Sequence, residues 1–198
     1  MKKSILMIVA AVGLMIFAAC GNKSGNNSEA AFATDTLTLD EYKWFTWTIP
    51  VPQGKGYELT TSLPEQLKDF YSSTDIMNLL GDKVLVVLGD FEGKSLDDWK
   101  ALVNSSDYTG SLKGKELQDV KVGGRNAIRF KLESGGSELQ HDGYGYLVDF
   151  TDYTGGGYKC FNLSVYPADG QPNKIEELMN DEEVKFILDN MTVTPKND

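Results

Sequence analysis

Two cysteines, one histidine and a cluster of tyrosines are the residues with chemistry to offer in this 198-residue chain. Cys20 has the clearest setting. Met1-Lys2-Lys3 is a short positive start, Ile5 to Phe17 is an almost unbroken apolar run, and Ala18-Ala19 brings small residues up to Cys20-Gly21. Basic, apolar, small, then Cys is the order of a bacterial lipoprotein signal, cut before Cys20 so that its thiol takes the lipid. The apolar run is shorter than the roughly 20 residues that a spanning helix needs. An ordinary secretory signal would end in an A-x-A-like site and has no use for a cysteine there. Phe17 stands where the usual motif carries an aliphatic residue. Gly21 is not the aspartate associated with inner-membrane retention, which points the anchor to the outer membrane.

The remaining chemistry is sparse. His141 sits in a polar stretch before Gly143, with Glu138 and Asp142 as its near neighbours. A general base needs an orienting partner, so the reading for His141 is a solvated loop histidine. The chain has no nucleophile elbow, no phosphate-binding glycine loop and no metal-spaced Cys/His set. Asp149 to Gly155 places oxygens at alternate positions, but Cys160 stands twelfth, where a calcium loop needs a bidentate Glu. That stretch reads as a turn. Cys160 falls within a strand and reads as an inert core thiol. No cofactor and no metal are expected. One constellation remains: Tyr144, Tyr146, Phe150, Tyr158 and Tyr166, with Asn162 and Ser164, on one face of a hairpin. Rigid aromatics with polar tips suit a contact surface, so Tyr144, Tyr146, Tyr158, Asn162 and Tyr166 form the candidate binding face. The alternative is that this face packs under a helix.

Those residues need a scaffold. Cleavage before Cys20 leaves 179 residues, and losing Lys2 and Lys3 takes the formal charge from −10 to −12. That length fits one domain with a real core. Such an acidic surface repels phosphates, so no nucleic-acid partner is expected. The organisation expected is a signal over 1–19, the lipidated cysteine and a flexible polar linker over 20–38, and one globular domain over 39–196. Asp35-Thr36-Leu37 within the linker matches the Asp-Ser/Thr-aliphatic acceptor of bacterial O-glycosylation, a short pattern of low specificity.

Within the domain, Tyr42 to Ile49 alternates with Phe45, Trp47 and Ile49 on one side, which predicts a strand. Pro50-Val51-Pro52 should end it. Pro64 to Tyr71 suits a short helix with proline at its first position. Val84 to Leu88 reads as a strand buried on both faces. Ser95 with Asp98 three later opens a helix carrying Leu96, Trp99, Leu102 and Val103. Leu117 to Leu132 reads as a hairpin about Gly123-Gly124, with Val122 facing Arg125 and Val120 facing Ala127. A second hairpin pairs Gly143 to Phe150 with Tyr158 to Tyr166. Pairing Phe150 with Tyr158 sets Asp149 against Lys159 and Tyr146 against Asn162. Asn173 and Asn180 each precede a glutamate by three and read as helix starts, and Thr192-Val193-Thr194 as a last strand. A sheet apolar on both faces calls for covering helices. The expected fold class is α/β (α+β): a central antiparallel sheet with helices on both faces, a three-layer sandwich.

This order of elements, from Ile49-Pro50-Val51-Pro52 through Ser95-Leu96-Asp97-Asp98-Trp99 and Val120-Lys121-Val122-Gly123-Gly124 to Leu188-Asp189-Asn190-Met191, is similar to the PsbP-like superfamily, which includes bacterial lipoproteins. The resemblance implies an antiparallel sheet between helices and brings no catalytic residues. The functional expectation is a lipid-anchored, non-catalytic envelope protein. It meets the membrane through lipid on Cys20 and acts as a binding or accessory and assembly factor for an envelope protein. The alternatives are a binder of a small ligand, sugar or lipid, and then an enzyme with an unfamiliar site. A cavity of several hundred Å³ would favour the ligand binder; a flat apolar patch would favour a protein partner.

Overall fold

The computed structural model describes residues 33–40, 45–61, 77–133, 142–152, 157 and 159–196. Cys20, the helix expected at Pro64 to Tyr71, His141 and Tyr158 lie outside the described residues. The strands are β1 (Thr34–Leu39), β2 (Phe45–Pro52), β3 (Glu58–Thr60), β4 (Met77–Leu80), β5 (Val84–Glu92), β6 (Gln118–Val122), β7 (Arg125–Leu132), β8 (Gly143–Asp149), β9 (Cys160–Pro167) and β10 (Thr192–Pro195). The helices are α1 (Leu96–Val103), α2 (Ile175–Leu178) and α3 (Glu182–Asn190).

Two antiparallel sheets carry the fold. A seven-stranded sheet runs β3-β4-β5-β9-β8-β7-β6, and a three-stranded sheet runs β1-β2-β10. The large sheet is apolar on both faces, as its sequence required. Val84, Val86 and Leu88 of β5 join Val148, Phe161, Leu163 and Val165 in one cluster on the inner face. Leu85 and Val87 point to the outer face with Tyr166.

The covers differ from the expected pair of helical layers. The inner face is closed by the three-stranded sheet, through Phe45, Trp47 and Ile49, together with Val184, Ile187 and Leu188 of α3. The outer face is covered by Val103 of α1 and by Leu112 from the irregular stretch after it, packed on Ile128, Phe130, Leu147 and Cys160. The protein is therefore mostly antiparallel sheet with few helices. The reason lies in β2. It alternates in burial from Phe45 to Val51, so one side has to lie on the core. Its backbone groups need neighbours, which β1 and β10 supply.

Two boundaries move accordingly. β1 begins at Thr34, inside the stretch read as linker, and pairs Thr34 with Pro52 and Leu39 with Trp47. β2 does not stop at Pro50 but pairs through Pro50 and Pro52. β10 reaches only as far as Thr48. Beyond that point β2 has one neighbour, and a proline without a donor is tolerated at such an edge.

Other local readings hold with small shifts. Ser95 caps α1: its hydroxyl accepts from Asp98 N, and the Asp98 carboxylate accepts from Ser95 N. Asp181, not Asn180, caps α3 by accepting from Glu183 N. Asn180 instead donates to the Glu176 carbonyl. Asn173 accepts from Asp142 N rather than opening a helix, and α2 has no side-chain cap.

The first hairpin has the expected register, Val122 to Arg125 and Val120 to Ala127. Its two-residue turn needs positive φ twice, and Gly123 (56°) and Gly124 (75°) supply it. Gly123 does more than turn. Its N–H donates to the Leu188 carbonyl at 2.8 Å, and a Cβ there would run into the Met191 carbonyl oxygen. The turn is thus docked on the C-terminal end of α3, while Gly124 faces open space. Gly123→Ala should destabilise the protein by at least about 2 kcal/mol and Gly124→Ala by about 1 kcal/mol. Urea unfolding of the two variants checks this; equal losses would mean that the docking contributes nothing.

Candidate functional site

The second hairpin decides which side chains can form a site, and its register differs from the expected one by a single residue. Tyr146 pairs with Leu163, Leu147 with Asn162 and Asp149 with Cys160. The expected pairing matched Asp149 with Lys159 and Leu147 with Phe161, a local match of charge with charge and apolar with apolar. The observed one sends Phe161, Leu163 and Val165 inward together. There Phe161 stacks against Trp47 with ring centroids 5.1 Å apart. A one-residue slip exchanges faces for a whole strand. The candidate binding face is therefore divided: Tyr144 and Tyr146 point inward, and Asn162 and Tyr166 point outward.

The inward tyrosines are structural. Tyr146 is 2 % exposed, within the main core. Its hydroxyl donates to Met179 Sδ at 3.9 Å, and burial pushes its pKa up to about 12. Tyr144 lies under the Arg129 guanidinium at 4.6 Å and donates to Glu176 at 2.6 Å, which ties β8 to α2. Desolvation and that carboxylate raise the Tyr144 phenol above its ordinary range. Phe150 also turns inward, with the Arg125 guanidinium 4.4 Å over its ring.

The turn after β8 uses its carboxylates internally. Asp149 accepts from Thr151 N and Oγ1 at 2.9 and 2.8 Å, and Asp152 pairs with Arg125 at 2.7 Å. Among the described residues no group of three or more His, Cys, Asp or Glu could hold a metal ion. Cys160 is fully buried on the outer face, and its thiol is pushed up to about 12, first by burial. It is no nucleophile at neutral pH.

The outward residues open onto a cavity of about 400 Å³. It lies between the outer face of the large sheet and the cover of α1 and residues 104–117. Phe130, Leu147, Ser164 and Tyr166 are buried and make the floor. Trp99 from α1, and Tyr108 and Leu112 from the following stretch, make the opposite wall. Asn162 places a carboxamide on the same lining, and Glu92, Lys115 and Glu133 complete it. Lys115 and Glu133 pair at 2.8 Å, tying the covering stretch to the end of β7. The Glu133 carboxylate is 65 % exposed, which sets this pair at the rim.

Small residues make the space. Positions 143, 145 and 89 share the outer face, and all three are glycine. A Cβ at Gly145 would run into the Phe130 ring and one at Gly143 into the Tyr166 ring. The two rings therefore lie low on the sheet. At Gly89 the pairing of β5 with β9 shifts register, and a Cβ there would come within 2.9 Å of the Asn162 carbonyl oxygen. A recess of about 350 Å³ near the start of α1 is more polar, and its Lys100 is already paired with Asp119 at 2.6 Å. The apolar cavity with a few polar groups is the better candidate.

Of the residues singled out from sequence, Asn162 and Tyr166 line this cavity. Tyr144 and Tyr146 do not, and Tyr158, His141 and Cys20 lie outside the described residues. Missed as site residues were Trp99, read only as part of a helix, Phe130 and Leu147, and the glycines beneath them. Gly143-Tyr144-Gly145 carries the available signal: the small residues of that alternation, not its tyrosines, face the recess. Comparison with known proteins gives no match to a family model, a curated protein or a solved structure.

The division of the tyrosines has a measurable consequence. Tyr146→Ala should lower stability by about 3 kcal/mol, as loss of a buried aromatic does. Asn162→Ala should stay within about 1 kcal/mol. Urea denaturation of both variants separates the roles, and a near-neutral Tyr146→Ala would return Tyr146 to the candidate surface.

Proposed function

We propose that the chain is a lipid-anchored, non-catalytic protein of the bacterial envelope that binds a small ligand in the outer-face cavity. The cavity of about 400 Å³ carries this reading. It is concave, lined mainly by aromatic and aliphatic groups, and holds a few placed polar ones, the usual make-up of a small-molecule site. The protein-partner reading leaned on the tyrosine face, and the burial of Tyr146 weakens it.

The anchor part rests on the Lys2-Lys3, apolar-run, Ala18-Ala19-Cys20 pattern, with Gly21 favouring the outer membrane. No helix among the described residues is long and apolar enough to cross a membrane. The polar stretch after Cys20 then serves as a tether that holds the domain off the bilayer. We read the PsbP-like resemblance as a statement of ancestry, on the order of elements from β2 to β10. It suggests an accessory rather than an enzymatic role.

One measurement addresses both parts. Native mass spectrometry of the protein extracted from its own membrane should show a chain beginning at Cys20 with added acyl mass. It should also show a non-covalently held small molecule. Ser111 is an exposed residue on the cavity lining, so Ser111→Trp should lose the small molecule and keep the acyl mass. An unmodified Cys20 would sink the anchor. A small molecule that is missing, or that is retained equally by Ser111→Trp, would sink the cavity as the working site.

A further inference from the structure

The cavity lining says what kind of molecule fits. Size comes first. At about 30 Å³ per water-sized group, the cavity takes roughly a dozen non-hydrogen atoms. A hexose and a ten-carbon chain both meet that limit, so size alone does not choose between them.

Polarity chooses. The buried part of the lining is Leu112, Phe130, Leu147 and Tyr166, with Ser164 as its polar member. A sugar carries a hydroxyl on almost every carbon, more than the few polar groups of this floor can meet, so most of them would lose water without a partner. An aliphatic chain gains from the same contact, at about 0.8 kcal/mol for each methylene buried.

Charge removes two more classes. Among the described lining residues the only cation, Lys115, already holds Glu133 at 2.8 Å. Glu92 adds a further carboxylate, and the whole chain is at −10. A free anion would meet two carboxylates and an occupied ammonium. A free cation would have to leave its head at the exposed rim, because nothing charged lies among the buried lining.

Building on the ligand-binding reading above, we propose that the cavity takes an uncharged, mainly aliphatic molecule of about a dozen non-hydrogen atoms. A medium-length alkyl chain ending in an alcohol, ester or amide has this chemistry. The rim pair Lys115–Glu133 stays intact when such a molecule enters, because the molecule competes for neither charge.

The test uses the whole mature chain with Cys20→Ser, so that no detergent is present. Isothermal titration calorimetry at two temperatures compares decan-1-ol, decanoate, decylammonium and glucose. Decan-1-ol should bind with a negative heat-capacity change, the mark of apolar burial. Decanoate and decylammonium should bind at least about tenfold more weakly, because each must bury or strand a charge. Glucose should give no heat of binding.

Ser111→Trp should abolish binding. Tighter binding of glucose or of either ion overturns the ligand class while leaving the cavity as a site. Binding of decan-1-ol that survives Ser111→Trp, or no binding of any probe, overturns the inference outright. A small molecule retained by the membrane-extracted protein would still stand apart from that failure.

Discussion

The pairing of Tyr146 with Leu163 is the constraint on which the rest depends. Side chains alternate along a strand, so one register decides the facing of every residue on β8 and β9. With this register Phe161, Leu163 and Val165 meet the second sheet, and Asn162, Ser164 and Tyr166 face α1. With the neighbouring register the large apolar residues would face a helix that fully buries only Val103. Asn162 and Ser164 would then lie against Trp47 and Phe45. Burying three large apolar side chains outweighs one exposed charge pair by several fold, at about 1.5–3 kcal/mol each against less than about 1 kcal/mol.

The inner face follows from that choice. Phe45, Trp47, Phe150 and Phe161 form a cluster whose centroids lie 5.1 to 6.3 Å apart, mostly edge-on or tilted. Such packing adds direction to burial, because ring edges favour ring faces. It fixes how the three-stranded sheet sits on the seven-stranded one. β1 and β10 then satisfy the backbone of β2 on its two sides. Chain ends distant in sequence are joined in one small sheet, and Gly123 locks the far edge of the large sheet to α3. The inner layer is closed at both ends without a second helical layer.

Local signals were legible in the sequence, and long-range ones were not. The α1 capping box and the Gly123-Gly124 hairpin are written within a few residues of each other, and both came out residue by residue. The both-face burial of Val84 to Leu88 is a property of composition and was equally plain. What failed depended on partners far along the chain. The slip on β8–β9 turned on whether charge matching or core packing sets the register, and the core is invisible to a local count. β1 was hidden in a polar stretch, because an edge strand exposed on most of its residues carries little hydrophobic pattern. The prolines at 50 and 52 looked like a stop because their edge position depends on where β10 ends. The candidate site suffered most: one wrong register mixed two faces, and the glycines that make the recess carry no chemistry of their own.

On the proposed ligand-binding reading, the two faces of the large sheet divide stability from recognition. The inner face is sealed by a sheet and by three apolar residues of α3. The outer face is covered by an eight-residue helix that buries one residue fully, and by turns held through few apolar contacts. Segments of that kind open at lower free-energy cost than the strands beneath them. A cavity under such a cover can admit a molecule by moving the cover while the sheet stays fixed. The floor is preorganised, because the glycines hold the Phe130 and Tyr166 rings low whether or not anything is bound. Preorganisation reduces the ordering cost of binding, so a floor built on strands and a lid built on turns suit a site that must be both shaped and accessible. The same division explains why the acidic surface is compatible with an apolar ligand. Repulsion at long range acts on charge, and an uncharged aliphatic molecule such as the one proposed would be selected at the recess by burial.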